Sequence, residues 1–260
     1  MTALEAVRRR PAMAAALLGA AALAWWWTVE RMAAMDAAPG ADLGTLGWFT
    51  ASWAVMMAAM MLPSLAPRLA TFATVTRGRG PGRVLLFSCG YLLAWAAAGL
   101  VAYGLFELGK GLVGSDLPWA GGGRWVSGCV LALAAAYQFT PVKHACLTRC
   151  RGPLSDMRGV SRQGSSAALA MGLRNGAWCI GCSWALMAAL FALGVMSLTW
   201  MALVAGLVAF EKTGPSAFAA KLTTATVLAV LAVAILAAPQ LVPGLVLPGS
   251  GGMHAMKAMG

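Results

Sequence analysis

Long apolar runs dominate the chain, and short polar segments separate them. A helix needs about 20 mostly apolar residues to cross a bilayer. Seven runs approach that length, and each predicts a membrane-spanning helix. They cover residues 12–29, 46–62, 84–106, 125–142, 175–193, 196–210 and 222–242. The pattern therefore predicts an all-α, polytopic transmembrane helix bundle that forms a single domain over residues 1–242, followed by a flexible C-terminal tail at 243–260.

Three of these runs have features that affect their boundaries. The first follows three consecutive arginines, Arg8 to Arg10, and no small-residue cleavage site comes directly after it, so it predicts an uncleaved anchor. The fifth is preceded by an amphipathic stretch, so its helix is expected to begin near Ser165. The sixth is short, which predicts a tilted helix or a locally thinned bilayer.

The distribution of basic residues orients the bundle. Lysine and arginine concentrate in the cytoplasmic segments of membrane proteins. With the N-terminus in the cytoplasm, fifteen of the nineteen Lys and Arg residues fall on the inner side and four on the outer side. Tryptophan, which prefers membrane interfaces, agrees with this orientation. The tryptophans at predicted outer interfaces are Trp25, Trp26, Trp27, Trp48, Trp119, Trp125 and Trp200.

Composition excludes several classes of protein. Of the 260 residues, 60% are hydrophobic and 10% charged, whereas soluble domains carry about 25% charged residues. A soluble enzyme, a disulfide-rich secreted domain and a disordered chain are therefore excluded. The net charge of +11 comes from short basic clusters between apolar runs, which is typical of orienting loops. We expect the lipid bilayer as the main partner, and no nucleic acid.

Cysteine supplies the clearest candidate chemistry. Cys146 and Cys150 are four residues apart, and Cys179 and Cys182 form a C-x-x-C motif. Each spacing places two sulfur atoms on one helical face. The predicted topology brings both pairs to the inner side of the membrane, where thiols stay reduced. This favours metal binding or thiol exchange over a structural disulfide, although buried cysteines are also ordinary packing residues.

Residues around the first cysteine pair extend the candidate site. Lys143, Arg149 and Arg151 are expected to stabilise thiolates, and His144 offers an imidazole to a metal. No partner makes His144 a general base, and the chain contains no catalytic triad or zinc-protease motif. We therefore assign no catalytic residue. Glu211, at the inner edge of the sixth run, is expected to pair with a basic residue.

Methionine supplies two further groups of candidate ligands. One is a stripe on the inner half of the second run, and the other is a Met/His cluster in the tail. Thioether sulfur suits Cu(I), but methionine also fills gaps in apolar cores, and terminal residues are often idle. The stripe consists of Met56, Met57, Met60 and Met61, and the tail cluster of Met253, His254 and Met256.

Three stretches together resemble a known family. They are 137–151, with its Tyr-Gln-Phe-Thr-Pro-Val-Lys start and two cysteines, 172–187, with its C-x-x-C, and the methionine-rich 56–63. In combination they resemble the family called domain of unknown function 2182, over residues 12–240. That family is described as predicted metal-binding integral membrane proteins of bacteria, which implies a multi-pass protein of the bacterial inner membrane. Ser183 departs from it, because family members often have a cysteine there.

The sequence favours one function and leaves others open. The leading interpretation is a transporter or delivery protein for a soft metal, most simply Cu(I), because thiol and thioether ligands suit that ion. Zinc on four cysteines is the alternative metal. A structural or assembly subunit of a larger copper oxygenase or respiratory complex is the second interpretation, and a C-x-x-C thiol–disulfide protein is a weaker third. Partners would be other subunits of such a complex or a metallochaperone.

Overall fold

Helices make up the part of the chain that the structure, a computed structural model, describes. That part comprises residues 11–32, 44–75, 81–113, 122–151, 165–194, 197–239 and 242, and it contains no strand. Its helices, in chain order, are α1 Pro11–Met32, α2 Leu46–Val75, α3 Pro81–Val113, α4 Arg124–Tyr137, α5 Pro141–Arg151, α6 Ser165–Leu193, α7 Leu198–Thr213 and α8 Ala217–Ala237. The predicted all-α class is confirmed. The tail residues Met253, His254 and Met256 lie outside the described residues.

Five helices in this part of the chain are long and apolar enough to cross a membrane. The candidate spans are Pro11–Arg31, Leu46–Ala73, Gly82–Gly109, Ser165–Leu193 and Ala217–Ala237, and a sixth exists if α4 and α5 count as one bent span. Helix α7 has 16 residues, which is fewer than the roughly 20 that a bilayer crossing requires. These candidate spans are consistent with the predicted multi-span membrane bundle, whereas the count of seven spans is not confirmed.

The predicted fourth span, 125–142, is wrong as a single helix. Helix α4 ends at Tyr137, α5 begins at Pro141, and the two helices differ in direction by 65°. Proline lacks an N–H donor and disfavours helical geometry in the residue before it. The hydroxyl of Thr140 accepts a hydrogen bond from the Lys143 N–H at 3.2 Å, which caps the new helix. The break turns the cysteine-bearing α5 onto its neighbours.

The fifth predicted span begins early, as its amphipathic lead-in suggested. Helix α6 is continuous from Ser165 to Leu193, so Cys179 and Cys182 lie near its middle. Helix α2 also continues beyond its predicted end at 62, past Pro63 and Pro67, to Val75. Prolines are tolerated inside membrane helices where neighbouring groups satisfy the freed backbone.

Helices α3 and α6 make the most extensive contact, and they approach through glycines. A Cβ atom added at Gly172 would lie 2.0 Å from the carbonyl oxygen of Phe87, and one at Gly90 would lie 2.2 Å from that of Leu169. The two backbones therefore touch directly, as small residues permit in membrane helices. This crossing brings Tyr91 of α3 against Cys179 of α6.

Helix α2 lies in the centre of the bundle. Its Trp53 is 2% exposed and donates a hydrogen bond from Nε1 to the carbonyl oxygen of Trp95 at 2.9 Å. The methionine stripe follows on the same helix and is buried throughout. Large apolar side chains such as Leu133 and Val233 are exposed on the outside of the bundle, as expected for surfaces that face lipid.

Candidate metal centre

The two cysteine pairs meet where α5 lies against α6. The Sγ atoms of Cys150 and Cys182 are 3.7 Å apart, and Cys146 packs against Cys182 in a small buried cluster. We call Cys146, Cys150, Cys179 and Cys182 the thiol patch. All are free thiols, and Cys150 is the most exposed of them. Residues that are distant in sequence thus come together, because the break before Pro141 turns α5 back onto α6.

A glycine allows this close approach. A Cβ atom added at Gly181 of α6 would lie 2.7 Å from the Sγ atom of Cys146, so any side chain there would displace the Cys146 thiol or push α5 away. In addition, the hydroxyl of Tyr137 donates to the carbonyl oxygen of Gly181 at 2.6 Å. Sequence reasoning missed Gly181. Its position inside the C-x-x-C motif was the only signal available.

Cys179 has different neighbours from Cys182. Its Sγ atom accepts hydrogen bonds from the Tyr91 hydroxyl and from the Lys212 ammonium, each at 2.9 Å. Lys212 also donates to Ser64 Oγ at 3.2 Å and contacts Met61 Sδ at 3.6 Å. Helices α3 and α7 therefore hold this sulfur from two sides. The sequence indicated neither contact, because each joins residues that are far apart along the chain.

A small cavity, about the size of one water molecule, opens beside these sulfurs. Arg68 borders it and donates hydrogen bonds to the side-chain oxygen of Asn175 and to the carbonyl oxygen of Arg149. The cavity is lined by Ser64, Leu65, Arg68, Tyr91, Cys150, Asn175, Cys179 and Lys212. This lining contains no carboxylate, so its soft ligands are the two thiols.

The basic residues around the first cysteine pair stabilise helix contacts rather than thiolates. The Lys143 ammonium donates to Glu211 Oε2 and to the carbonyl oxygen of Cys182, both at 2.6 Å. Both charged side chains are almost fully buried. The guanidinium of Arg149 lies 4.3 Å from the centre of the Trp178 ring, and Arg151 donates to the backbone oxygen of Glu211. The expected pairing of Glu211 with a basic residue is confirmed, whereas the expected role of Lys143 beside the thiols is wrong.

Other predicted ligands are dispersed. His144 is exposed on α5 and is not among the residues that pack on the thiol patch. Met56, Met57 and Met60 belong to the main apolar core. Cys179 belongs to the same apolar core, and Met61 Sδ lies 3.6 Å from the ammonium of Lys212, which borders the cavity.

The described residues contain no group of three or more His, Cys, Asp or Glu side chains placed to hold a metal ion. The sulfur atoms of Cys150 and Cys182 nevertheless lie 3.7 Å apart. In a tetrahedral site with metal–sulfur bonds of about 2.3 Å, neighbouring sulfurs lie about 3.8 Å apart. The observed 3.7 Å therefore suits two thiolates on one soft ion, but the described side chains do not assemble a four-cysteine zinc site.

A comparison with known families adds copper to this geometry. The model of a family described as PpoB2, copper chaperone, matches residues 50–236, which is well over half of the chain. The chain belongs to this copper chaperone family. The matched range includes the thiol patch, the methionine stripe and Lys212, but not the tail. No curated protein and no solved structure matches the chain. The resemblance to domain of unknown function 2182 stays a prediction, while the association with copper is shown by the family.

Proposed function

We propose that the protein binds Cu(I) at the thiol patch, with Cys150 and Cys182 as the first ligands, and passes it on as a membrane-embedded copper delivery protein. The observation that carries this proposal is the 3.7 Å between their sulfur atoms, which belong to separate helices. Thiolate and thioether ligands select Cu(I), and membership of a copper chaperone family supports the same metal.

The surroundings of the patch favour a soft ion over a hard one. Mg²⁺ and Ca²⁺ require several oxygen ligands, chiefly carboxylates. The cavity beside the patch has none in its lining, and the nearby Glu211 carboxylate is paired with Lys143. The same scarcity of further ligands disfavours zinc, which takes four in structural sites.

The methionine stripe provides a route to this site. It runs along α2, in the centre of the bundle, and its last member, Met61, contacts Lys212, which in turn contacts Cys179. Neutral thioethers bind Cu(I) without adding charge to the apolar core. In this proposal Met56, Met57, Met60 and Met61 form weak sites that lead to or from the thiols. The tail cluster Met253, His254 and Met256 is proposed to collect copper on the outer side.

Delivery of copper needs a partner that donates the ion or accepts it, depending on the direction of transfer. We propose a metallochaperone or a subunit of a copper-containing membrane complex on the cytoplasmic side of a bacterial inner membrane. His144, two residues before Cys146 and exposed on α5, is proposed as a transient ligand during such an exchange, since neutral imidazole also binds copper.

Metal content tests the proposal. The full chain is purified in detergent, loaded with Cu(I) under reducing conditions and analysed for bound copper. We expect stoichiometric copper in the native protein and its loss in Cys150→Ser/Cys182→Ser. The matched control is Cys89→Ser/Cys129→Ser, which removes two exposed cysteines outside the patch and should retain copper. Copper bound equally well by the patch variant would reject the site.

A further inference from the structure

We infer that the place held by the Lys212 ammonium is a second Cu(I) site, formed by the sulfur atoms of Cys179 and Met61, and that the lysine closes this site until its side chain withdraws. The inference rests on the proposed function for the choice of metal. It makes Lys212 a gate between the thiol patch and the methionine stripe.

The contacts of the Lys212 ammonium carry this inference. Its Nζ atom lies 2.9 Å from Cys179 Sγ, 3.6 Å from Met61 Sδ and 3.2 Å from Ser64 Oγ. A lysine inside a protein is usually paired with a carboxylate, but among the described residues these hydrogen-bond partners include none. A cation thus contacts a thiol and a thioether at once, and these are the two groups that suit Cu(I).

The two sulfurs belong to different helices and are shielded from water. Cys179 of α6 is 1% exposed, and Met61 of α2 is 0% exposed. Metal–sulfur bonds are about 2.3 Å long, so an ion that replaces the ammonium draws both sulfurs inward. The longer movement falls to Met61, at 3.6 Å. Methionine has three rotatable bonds and adapts to irregular spaces, so it is the side chain suited to this movement.

Charge makes the ammonium and the metal exclude each other. Each carries one positive charge, so they repel at short range and only one of them occupies the place. The Arg68 guanidinium lines the same cavity and adds to this repulsion. Lys212 is only partly buried, and a lysine can extend its head group towards water while its stem stays packed. The gate therefore has a direction in which to open.

The closed site adjoins the Cys150–Cys182 pair. Cys150 and Cys179 line the same cavity, which has room for about one water molecule. The Cys182 thiol also donates to the carbonyl oxygen of Cys179 at 3.2 Å. An ion released by the pair thus has Cys179 as an adjacent ligand. Withdrawal of Lys212 connects the pair to Met61, the last member of the methionine stripe, and its return separates them.

Removal of the ammonium tests the gate. The full chain in detergent is titrated with Cu(I) under reducing conditions, against a chelator strong enough to strip isolated thioethers. We expect one bound ion in the native protein and two in Lys212→Ala. Lys212→Gln keeps a polar side chain, which protects folding, and should gain the second ion as well, whereas Lys212→Arg keeps the charge and should not. Lys221→Ala, on α8 and outside the cavity lining, should leave one ion bound.

Substitution of the thioether assigns the gained ion. Met61→Leu in the Lys212→Ala protein should abolish the gain. Met57→Leu, at a buried methionine of the same stripe, is the matched control and should preserve it, since both replacements nearly conserve volume. An unchanged copper count in both Lys212→Ala and Lys212→Gln would overturn the inference. A gain that survives Met61→Leu would overturn it as well.

The patch variant separates this inference from the proposed function. Cys150→Ser/Cys182→Ser should bind no copper, and Lys212→Ala added to it should restore one ion. If Lys212→Ala restores nothing there, the second site is rejected and the proposed function stands. If copper binding in the native protein does not depend on Cys150 and Cys182, the proposed site is rejected, while a gain that requires Met61 still supports the second one.

Discussion

Charged side chains around the thiols make specific hydrogen bonds, as the contacts of Lys143, Arg151 and Lys212 show. Lys143 and Glu211 form a buried pair at 2.6 Å. A buried pair often contributes little net stability, because desolvation of both ions opposes their attraction, but loss of one partner leaves an uncompensated buried charge. Glu211 Oε1 has no hydrogen-bond partner among the described residues, so the pair relies on the remaining oxygen.

We therefore expect Glu211→Gln to destabilise the fold by about 3–5 kcal/mol. The cause is the Lys143 ammonium, which stays buried without a counter-charge. Thermal unfolding of the detergent-solubilised chain measures the effect. The double variant Lys143→Met/Glu211→Leu removes both charges and should recover most of the loss. A Glu211→Gln protein as stable as the native one would show that water reaches this pair.

At the scale of helices, the decisive feature is how closely α5 lies on α6. The sequence gives each cysteine pair through local spacing, and a helical face follows from that spacing alone. The predicted topology also placed both pairs on the inner side of the membrane, but the close contact of α5 with α6 depends on the break at 138–140, which the sequence did not indicate. The break lies inside an apolar run, so the sequence pattern included Thr140 and Pro141 in one continuous predicted span. Contacts such as Lys212 with Cys179 depend on tertiary packing and carry no local signal.

Gly181 provides the test at this scale. Gly181→Ala places a Cβ atom 2.7 Å from Cys146 Sγ, so the Cys146 side chain must turn or α5 must shift outward, at a cost of about 1–3 kcal/mol. We expect lower copper occupancy and slower formation of a Cys150–Cys182 disulfide when diamide is added, measured by mass spectrometry of peptides. Gly206→Ala on α7, where a Cβ atom meets nothing within 4 Å, is the matched control. Unchanged crosslinking in Gly181→Ala would contradict the close packing.

At the scale of the whole molecule, the described residues form a set of helices that includes five candidate membrane spans. The sequence showed the apolar runs that form these helices, but not the number of crossings. Five helices qualify as spans. The proposed seven crossings require that the bent α4–α5 pair and the 16-residue α7 each cross the bilayer. Length alone cannot decide this, since short helices are accommodated by local thinning of the membrane.

The positions of the two termini decide whether the number of membrane crossings is odd or even. With seven crossings the two termini lie on opposite sides of the membrane, whereas an even number puts both on one side. Reporter fusions to each end of the full chain, one active only inside and one only outside the cell, measure this directly. We expect opposite locations, in line with the fifteen-to-four distribution of basic residues. Termini on the same side would remove one of the proposed crossings.

The Lys143 ammonium links three helices through one atom. It extends from α5, binds the backbone of α6 at Cys182 and binds the side chain of α7 at Glu211. Consequently, a substitution that moves one of these three helices relative to the others would break the hydrogen bonds of Lys143. Substitutions at 143 and 211 should accordingly arise as compensating pairs, and random mutagenesis of this chain should find position 143 among the least tolerant.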